Sequence, residues 1–515
     1  MKTLRGFVTS LSSIVVKLKQ TKMLQLNFIK ILMLLSLFQC SEKEIEKNDA
    51  SEFKPNLLII QTDEHNFRTL GCYREQLSQE QAFIWGDGNN VETPNIDYLA
   101  KNGVLFTKYY AATPVCSPSR GTLISGMYPQ HTGVPKNDLP LNDNIVSYSE
   151  VLKNQGYKTG FIGKWHLDGT GKPQWEPERK FGFADNRYMY NRGHWKKMED
   201  TSEGPIVAAT NENGTPNYDL DGADETTFTT DFLTDKTIAY IEENKEHPFS
   251  MYLSYPDPHG PDKVRPPYDV MYTHMNFEKP RTFNLDASIV PSWAKPEKNP
   301  KLTHDQYFGM VKCIDDNVGK LITYLRDNKL LDKTIIVFTS DHGDLRAEHG
   351  KHNKGNPLEA SAKIPFVVYY PAKIPAGTVV KNAFNTVDFA PTFLTFMNQE
   401  VPAQMEGRDF SELLTNPGNQ ENWEDITFMR STGLPGEGNW VAAVTSRYKL
   451  ILSKSDEPWL IDMETDPDEL INFIDETSKV AVIKELANKL NGYAEMHSDP
   501  FLQGTKMADD LNKLL

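Results

Sequence analysis

An α/β fold, with a mostly parallel sheet sandwiched by helices and a smaller antiparallel C-terminal subdomain, is predicted by three features of this sequence. Short aliphatic runs alternate with helical patterns, ionisable residues follow those runs directly, and the pattern changes to short separated strands after about residue 399. The runs are PNLLIIQ at 55–61, YKTGFIG at 157–163, PFSMYLSY at 248–255, TIIVFTS at 334–340 and IPFVVYY at 364–370. Continuous rather than alternating apolarity is the mark of strands covered on both faces. Helical patterns at 93–102 and 307–328 lie between them. The stretches 169–227 and 256–300 are polar and rich in Gly, Asn, Asp or Pro, and read as long loops of the kind that usually serve function. Four further runs, DITFMRS, WVAAVTS, YKLILS and PWLIDM, followed by a helix over 480–496, give the antiparallel subdomain.

A chain of 515 residues exceeds the roughly 250–300 at which one core stops growing. The expected organisation is a leader at 1–40, a linker at 41–53, an α/β catalytic domain at 54–400 and an α+β subdomain at 401–515. Composition is that of a globular protein, 39% hydrophobic and 24% charged. A net charge of −15 argues against nucleic acid or an anionic membrane as the principal partner. An anionic substrate therefore needs a locally basic pocket.

The leader carries ILMLLSLF at 31–38, an apolar run too short to cross a bilayer but suited to a signal peptide. It ends at Cys40 and the charged SEKEIEKNDASE, and so resembles a lipoprotein signal with Cys40 as the lipidated first residue of the mature chain. The expectation is an exported bacterial protein, periplasmic or outer-membrane, touching membrane only through that anchor; ordinary cleavage near the same point is the other reading. The four cysteines, Cys40, Cys72, Cys116 and Cys313, are too scattered for a disulfide framework or a CxxC zinc site.

Chemistry collects after the strands. Asp63, Glu64 and His65 follow the first, Lys164 and His166 the second, His259 the third, and Asp341, His342 and Asp344 the fourth. Ligands of open α/β sheets bind beyond the carboxyl ends of the strands, so four strands aim ionisable groups at one region. Asp63, Glu64 and Asp341 supply hard oxygen ligands for calcium or magnesium, with His342 a softer nitrogen; each acid taken singly reads equally well as a helix cap. Lys164, His166, His259, Arg120 and Lys354 form the opposite set, suited to a tetrahedral oxyanion. Cys116 opens CSPSRGTLISG at 116–126, with Pro118 fitting the first turn of a helix. A cysteine at a helix N-terminus beside Arg120 reads as an activated thiolate next to an anion site, or as a buried structural thiol.

CSPSR, continuing as GTLISGMYPQHTG, resembles the type I sulfatase signature CxPSR, whose cysteine is oxidised to formylglycine (3-oxoalanine). TPNIDYLAKNGVLFTKYYA, GYKTGFIGKWHL, TSDHGDLRAEHG with Lys354 beyond it, IPFVVYYP, YKLILS and WLIDMETDPDELINF carry the resemblance through nearly the whole mature chain in the family's order. It implies an alkaline-phosphatase-like fold and a sulfuric ester hydrolase acting through a formylglycine diol, one hydroxyl of which attacks sulfur while the other is later deprotonated to expel sulfate. By similarity, Asp63, Glu64, Asp341 and His342 hold one calcium ion, with residue 116 completing the shell. Arg120 and Lys164 fix the diol, His166 is the base for elimination, and His259 and Lys354 bind sulfate, one of them protonating the leaving oxygen. Where the family commonly has a second Asp, this chain has Glu64, which ligates at an altered angle or leaves the metal to a water. The implied partners are a sulfated saccharide and a formylglycine-generating maturation enzyme. The competing readings are a formylglycine-dependent phosphomonoester, phosphodiester or phosphonate hydrolase, and an inactive glycan-binding homologue. Arg192, His194 and Trp195 in the first long loop are candidates for gripping a sugar, through charge and ring stacking.

Overall fold

In the computed structural model, which describes residues 54–286, 290–298 and 300–515, the run at 55–61 forms β1 (Asn56–Asp63) with all eight residues buried. The leader and linker, Cys40 included, lie outside the described residues. Next along the chain come β2 (Val104–Phe106), β3 (Tyr109–Tyr110), β4 (Lys158–Lys164), β5 (Met189–Tyr190), β6 (Met198–Thr201), β7 (Gly204–Val207), β8 (Phe249–Pro258) and β9 (Thr334–Ser340). The remaining strands are β10 (Phe366–Tyr369), β11 (Thr378–Val380), β12 (Phe384–Asn385), β13 (Thr427–Arg430), β14 (Trp440–Val444), β15 (Tyr448–Ser453) and β16 (Trp459–Asp462).

The main sheet has eight strands in the order β11-β2-β10-β9-β1-β8-β4-β5. β1 lies at its centre, parallel to β8 on one side and β9 on the other. Alternate residues serve opposite faces: Leu57 and Ile59 join a core with Phe161, Tyr252 and Val337, while Leu58 and Ile60 join one with Ile162, Leu253 and Phe338. That two-sided burial is why the sequence reads as unbroken apolar runs. Of the helices, α1 (Pro94–Lys101), α3 (Thr229–Asn244) and α4 (Asp305–Asp327) place apolar residues in the second core, and α2 (Cys116–Ser125) in the first.

The run at 364–370 departs from the parallel expectation. β10 is antiparallel to both β9 and β2 and runs against the other seven strands. A parallel return needs a crossover that carries the chain to the far edge of the sheet; the segment 341–363 instead stays at the end where β9 stops, because its residues build the site there. The polar stretch 169–227 is not all loop, since β6 and β7 form a hairpin within it. The sequences MEDT and GPIV are too short and polar to display a strand period.

After residue 400 the chain forms a four-stranded antiparallel sheet, β13-β14-β15-β16. α5 (Val480–His497) covers one face, packing Leu486, Leu490 and Tyr493 against Val441, Ala443, Leu450 and Leu452. The opposite face, with Ala442, Val444, Ile451 and Ile461, packs on Leu345, Leu358, Ala360 and Ala362.

Candidate active site

The site forms where β1, β4, β8 and β9 end. α2 starts at Cys116, after extended Val115, and stops at Gly126, whose φ of 65° provides a left-handed cap. All ten of its residues are buried, and Cys116 is only 2% exposed. Its Sγ lies 3.2 Å from His342 Nε2 and 3.8 Å from Asp63 Oδ1. His342 Nε2 is in turn 3.7 Å from Asp63 Oδ1 and 3.5 Å from Asp341 Oδ1. Asp63, Cys116, Asp341 and His342 thus bring one potential ligand atom each within 4.8 Å of one another. His342 Nδ1 bonds the Gly343 carbonyl at 2.9 Å, which requires the proton on Nδ1 and turns the Nε2 lone pair into the cluster. Two fully buried carboxylates, an imidazole lone pair and the side chain of residue 116 fit a divalent cation.

The Glu64 carboxylate is not among these ligand atoms, although the Glu64 amide donates to Asp341 Oδ1 at 3.2 Å. The Glu64 backbone, at φ 63°, is steadied by the Tyr307 hydroxyl, which donates to the Glu64 carbonyl at 2.9 Å and accepts from the Asn66 amide at 2.8 Å. The carboxylate turns to the cationic side, with Oε2 2.9 Å from His259 Nε2 and Oε1 3.1 Å from Lys354 Nζ. Burial would push Glu64 up, but His259 and Lys354 outweigh it and hold the carboxyl well below its usual range.

The buried charges balance. Arg120 donates through Nε to Asp341 Oδ2 at 2.9 Å and through NH2 to Asp63 Oδ2 at 3.0 Å, while NH1 reaches the Lys164 carbonyl and Ser254 Oγ, both at 2.7 Å. Lys164 Nζ donates to Asp63 Oδ2. Against burial, Lys164, His259 and Arg120 hold the Asp63 carboxyl well below the ordinary range. β4 delivers Lys164 only because residue 163 is glycine: at φ 105°, a Cβ there would lie 1.9 Å from the Ser254 carbonyl oxygen. His166, with φ 59°, has Nε2 3.4 Å from Asp138 Oδ1, which Arg192 also approaches at 3.0 Å. Burial, then the Lys164 and Arg120 charges, keep the His166 imidazole well below its usual value and so neutral. His259 gives its Nδ1 proton to the Gly260 carbonyl at 2.9 Å, leaving Nε2 to face Glu64 and the Lys354 ammonium at 2.8 Å.

Two expectations change. Residue 116 is no activated thiolate: burial, followed by the Asp63 charge, pushes its thiol up, and the helix N-terminus does not reverse this. Trp195 is 2% exposed, its Nε1 donating to the Arg192 carbonyl at 3.0 Å, so its ring packs in the protein rather than against a sugar. Cys72 and Cys313 are buried free thiols in the cores. Ser254, Asp138, Tyr307 and Lys196 belong to the site's surroundings and carry no sequence signal, being ordinary polar residues that only the fold brings here.

The segment after Asp341 is held from below by the C-terminal sheet. Trp440 Nε1 donates to the Gly355 carbonyl at 3.1 Å, and Lys449 Nζ to the Pro357 carbonyl at 2.9 Å. The Glu359 amide donates to Glu469 Oε2 at 2.7 Å, and Lys449 also bridges the carboxylates of Glu359 and Glu469, each at 2.8 Å.

A family model described as Sulfatase matches residues 55–399, spanning every strand end that contributes to the site. The chain belongs to the sulfatase family. It is therefore a sulfuric ester hydrolase with an alkaline-phosphatase-like fold. A second model, described as N-sulphoglucosamine sulphohydrolase, C-terminal, matches residues 347–496. This sulfatase is 28% identical to an ulvan-active sulfatase of Formosa agariphila, over 90% of this chain and 86% of that one. It is 25% identical to an N-acetylglucosamine-6-O-sulfatase of Bacteroides thetaiotaomicron, over 90% of each. The crystal structure of a putative sulfatase yidJ from Bacteroides fragilis superposes with a TM-score of 0.72 at 26% identity, covering 88% of this chain and 98% of that one. A phosphonate monoester hydrolase from Silicibacter pomeroyi shares the fold, with a TM-score of 0.64 at 20% identity over 87% of this chain and 97% of that one.

Proposed function

We propose that this sulfatase cleaves the sulfate ester of a sulfated saccharide, with Cys116 converted to formylglycine by a maturation enzyme and one calcium ion held by Asp63, Asp341, His342 and residue 116. The observation that carries this reading is the convergence of Cys116 Sγ with three buried ligand atoms, the two carboxylates among them turning their other oxygens to Arg120 and Lys164. Sγ stands where an oxygen of the hydrated aldehyde would lie. When present, the hydrate supplies the nucleophile and the ion draws charge from the sulfuryl oxygens.

The chain's own residues divide the remaining work. Arg120 and Lys164 offer fixed positive charge, buried and already oriented, next to residue 116. His259 Nε2 and Lys354 Nζ, 2.8 Å apart, form a second cationic point suited to the transferred group. His259 Nδ1 is committed to the Gly260 carbonyl and Nε2 accepts from the Lys354 ammonium, so the pair holds one mobile proton, which reaches the leaving oxygen from Lys354 directly or through His259 Nε2. His166, held neutral, is ready to accept a proton from residue 116 when sulfate is expelled. A saccharide substrate is supported by the carbohydrate sulfatases among the relatives.

Mass analysis of the peptide containing residue 116, together with turnover of sulfated saccharides, aryl sulfate, aryl phosphate and phosphodiester, tests the reading. Formylglycine and a preference for sulfate esters are expected. An unmodified thiol in an active preparation overturns the nucleophile, a preference for phosphate or phosphonate moves the enzyme to the other class, and inactivity on every ester leaves only glycan binding. We also propose that the protein is exported and lipid-anchored at Cys40, on the sequence ILMLLSLFQC and its acidic sequel. Cys40→Ala is expected to move the protein from the membrane to the soluble fraction; an unchanged distribution refutes the anchor.

A further inference from the structure

His194 lies between the two cationic groups of the site and has no part in the chemistry above. Its Nε2 is 2.7 Å from Lys164 Nζ. A lysine ammonium has only protons to offer, so His194 accepts, with its own proton on Nδ1. Its ring also lies flat against that of His259, with centroids 3.5 Å apart and planes within 6°. One side chain therefore touches the lysine beside residue 116 and the histidine of the leaving-group side. Asp63, His194 and His259 also bring ligand atoms within 4.8 Å of one another, but the Lys164 ammonium already bonds both Asp63 and His194.

The segment carrying His194 is rigidly built. The Trp165 amide donates to the Tyr190 carbonyl at 2.8 Å and the His166 amide to the Asn191 carbonyl at 2.7 Å, which ties 190–191 to the end of β4. Gly193, at φ 119°, makes the turn that presents His194; a Cβ there would lie 2.3 Å from the Trp195 ring. Two residues on, buried Lys196 donates to Asp257 Oδ1 at 2.6 Å and to the His259 carbonyl at 3.2 Å. The backbone and the ring of His259 are thus both gripped from one short stretch.

We propose that His194 is a positioning residue that fixes Lys164 by accepting a hydrogen bond from its ammonium and fixes His259 by ring stacking, so that nucleophile side and leaving-group side keep a constant separation. This rests on the sulfatase reading. Two variants separate its contacts: His194→Phe keeps a flat ring without an acceptor, and His194→Gln keeps an acceptor without the ring. Each is assayed on aryl sulfates from 4-nitrophenyl sulfate, whose leaving group needs little proton assistance, to phenyl sulfate, which needs more. His194→Gln is expected to leave 4-nitrophenyl sulfate turnover within about threefold while lowering kcat/KM for phenyl sulfate by about 10–100-fold, steepening the leaving-group dependence. His194→Phe is expected to lower both by a similar factor of about 10–100 without steepening it. Thermal midpoints of both variants are measured alongside. Equal losses on all esters in both variants, as general loosening of the fold would give, or losses below twofold throughout, overturn the proposal. Wild-type enzyme inactive on aryl sulfates and on sulfated saccharides alike, while folded and carrying formylglycine, overturns the sulfatase reading itself.

Discussion

Replacing Arg120 by methionine keeps the apolar length of the side chain and removes the charge that two buried carboxylates share. Asp63 retains Lys164, but Asp341 loses its only Lys or Arg ion-pair partner among the described residues. Removing one member of a buried, hydrogen-bonded pair costs about 3–5 kcal/mol. For a folded body spanning residues 55–515, an unfolding entropy of about 2.1 cal/mol/K per residue gives about 1 kcal/mol/K in total, so the midpoint in EDTA is expected to fall by ~3–5 °C. With the arginine gone, a divalent cation meets two carboxylates and one ammonium rather than a balanced set. Calcium should therefore bind Arg120→Met more tightly, each tenfold adding about 1.4 kcal/mol, and raise its midpoint by more than it raises the wild type's. Paired thermal melts in EDTA and in calcium measure both effects. A variant that melts with the wild type in EDTA, or that gains no more from calcium, refutes this account of how the site is charged.

Two further outcomes follow from other residues. His166→Ala should release about one equivalent of phenol per enzyme from an activated aryl sulfate in a rapid burst and then stall, because attack does not need this base and sulfate expulsion does; rapid-quench kinetics without a burst would reverse the role. Glu406→Gln tests the contact between the two halves of the fold, where Oε1 accepts from His131 Nδ1 at 2.7 Å and lies 3.1 Å from His497 Nδ1, and Oε2 accepts from the Tyr128 amide at 2.7 Å. The expected cost at neutral pH is about 1–3 kcal/mol. Against burial, these hydrogen bonds hold Glu406 down to about 2, so its stabilisation is complete above its ordinary value near 4.5 and is lost as pH falls toward 2. Thermal midpoints of wild type and variant should converge over that window, and a gap independent of pH would contradict the assignment.

The sequence made the sheet legible because burial on both faces writes itself as unbroken apolar runs, as at Leu57–Ile60 and Ile335–Phe338. It also placed Asp63, Lys164, His259 and Asp341 in one region, since strand ends converge whatever joins them. The direction of β10 was not legible: an apolar run is the same read either way, and direction follows from the course of 341–363. The partners of Glu64 were equally hidden. Spacing put it next to Asp63, yet its left-handed backbone turns it to His259 and Lys354, and only the fold shows which neighbours it meets. His194 and Trp195 illustrate the same limit, for polarity marks a loop without saying which of its rings face inward.

The contacts beneath residues 355–359 bear on what can be exchanged in this protein. Trp440, Lys449 and Glu469 come from the small sheet, yet they grip the very segment that carries Asp341, His342 and Lys354. A chain cut near residue 400 would leave the Glu359 carboxylate without Lys449 and would bare the apolar surface of Leu345, Leu358, Ala360 and Ala362. The last hundred residues are thus no detachable appendage on which new specificity can be tried freely. Grafting them from a relative would tug on Lys354 through the loop that holds it, and drift in the small sheet would surface as lost turnover far from where the change was made.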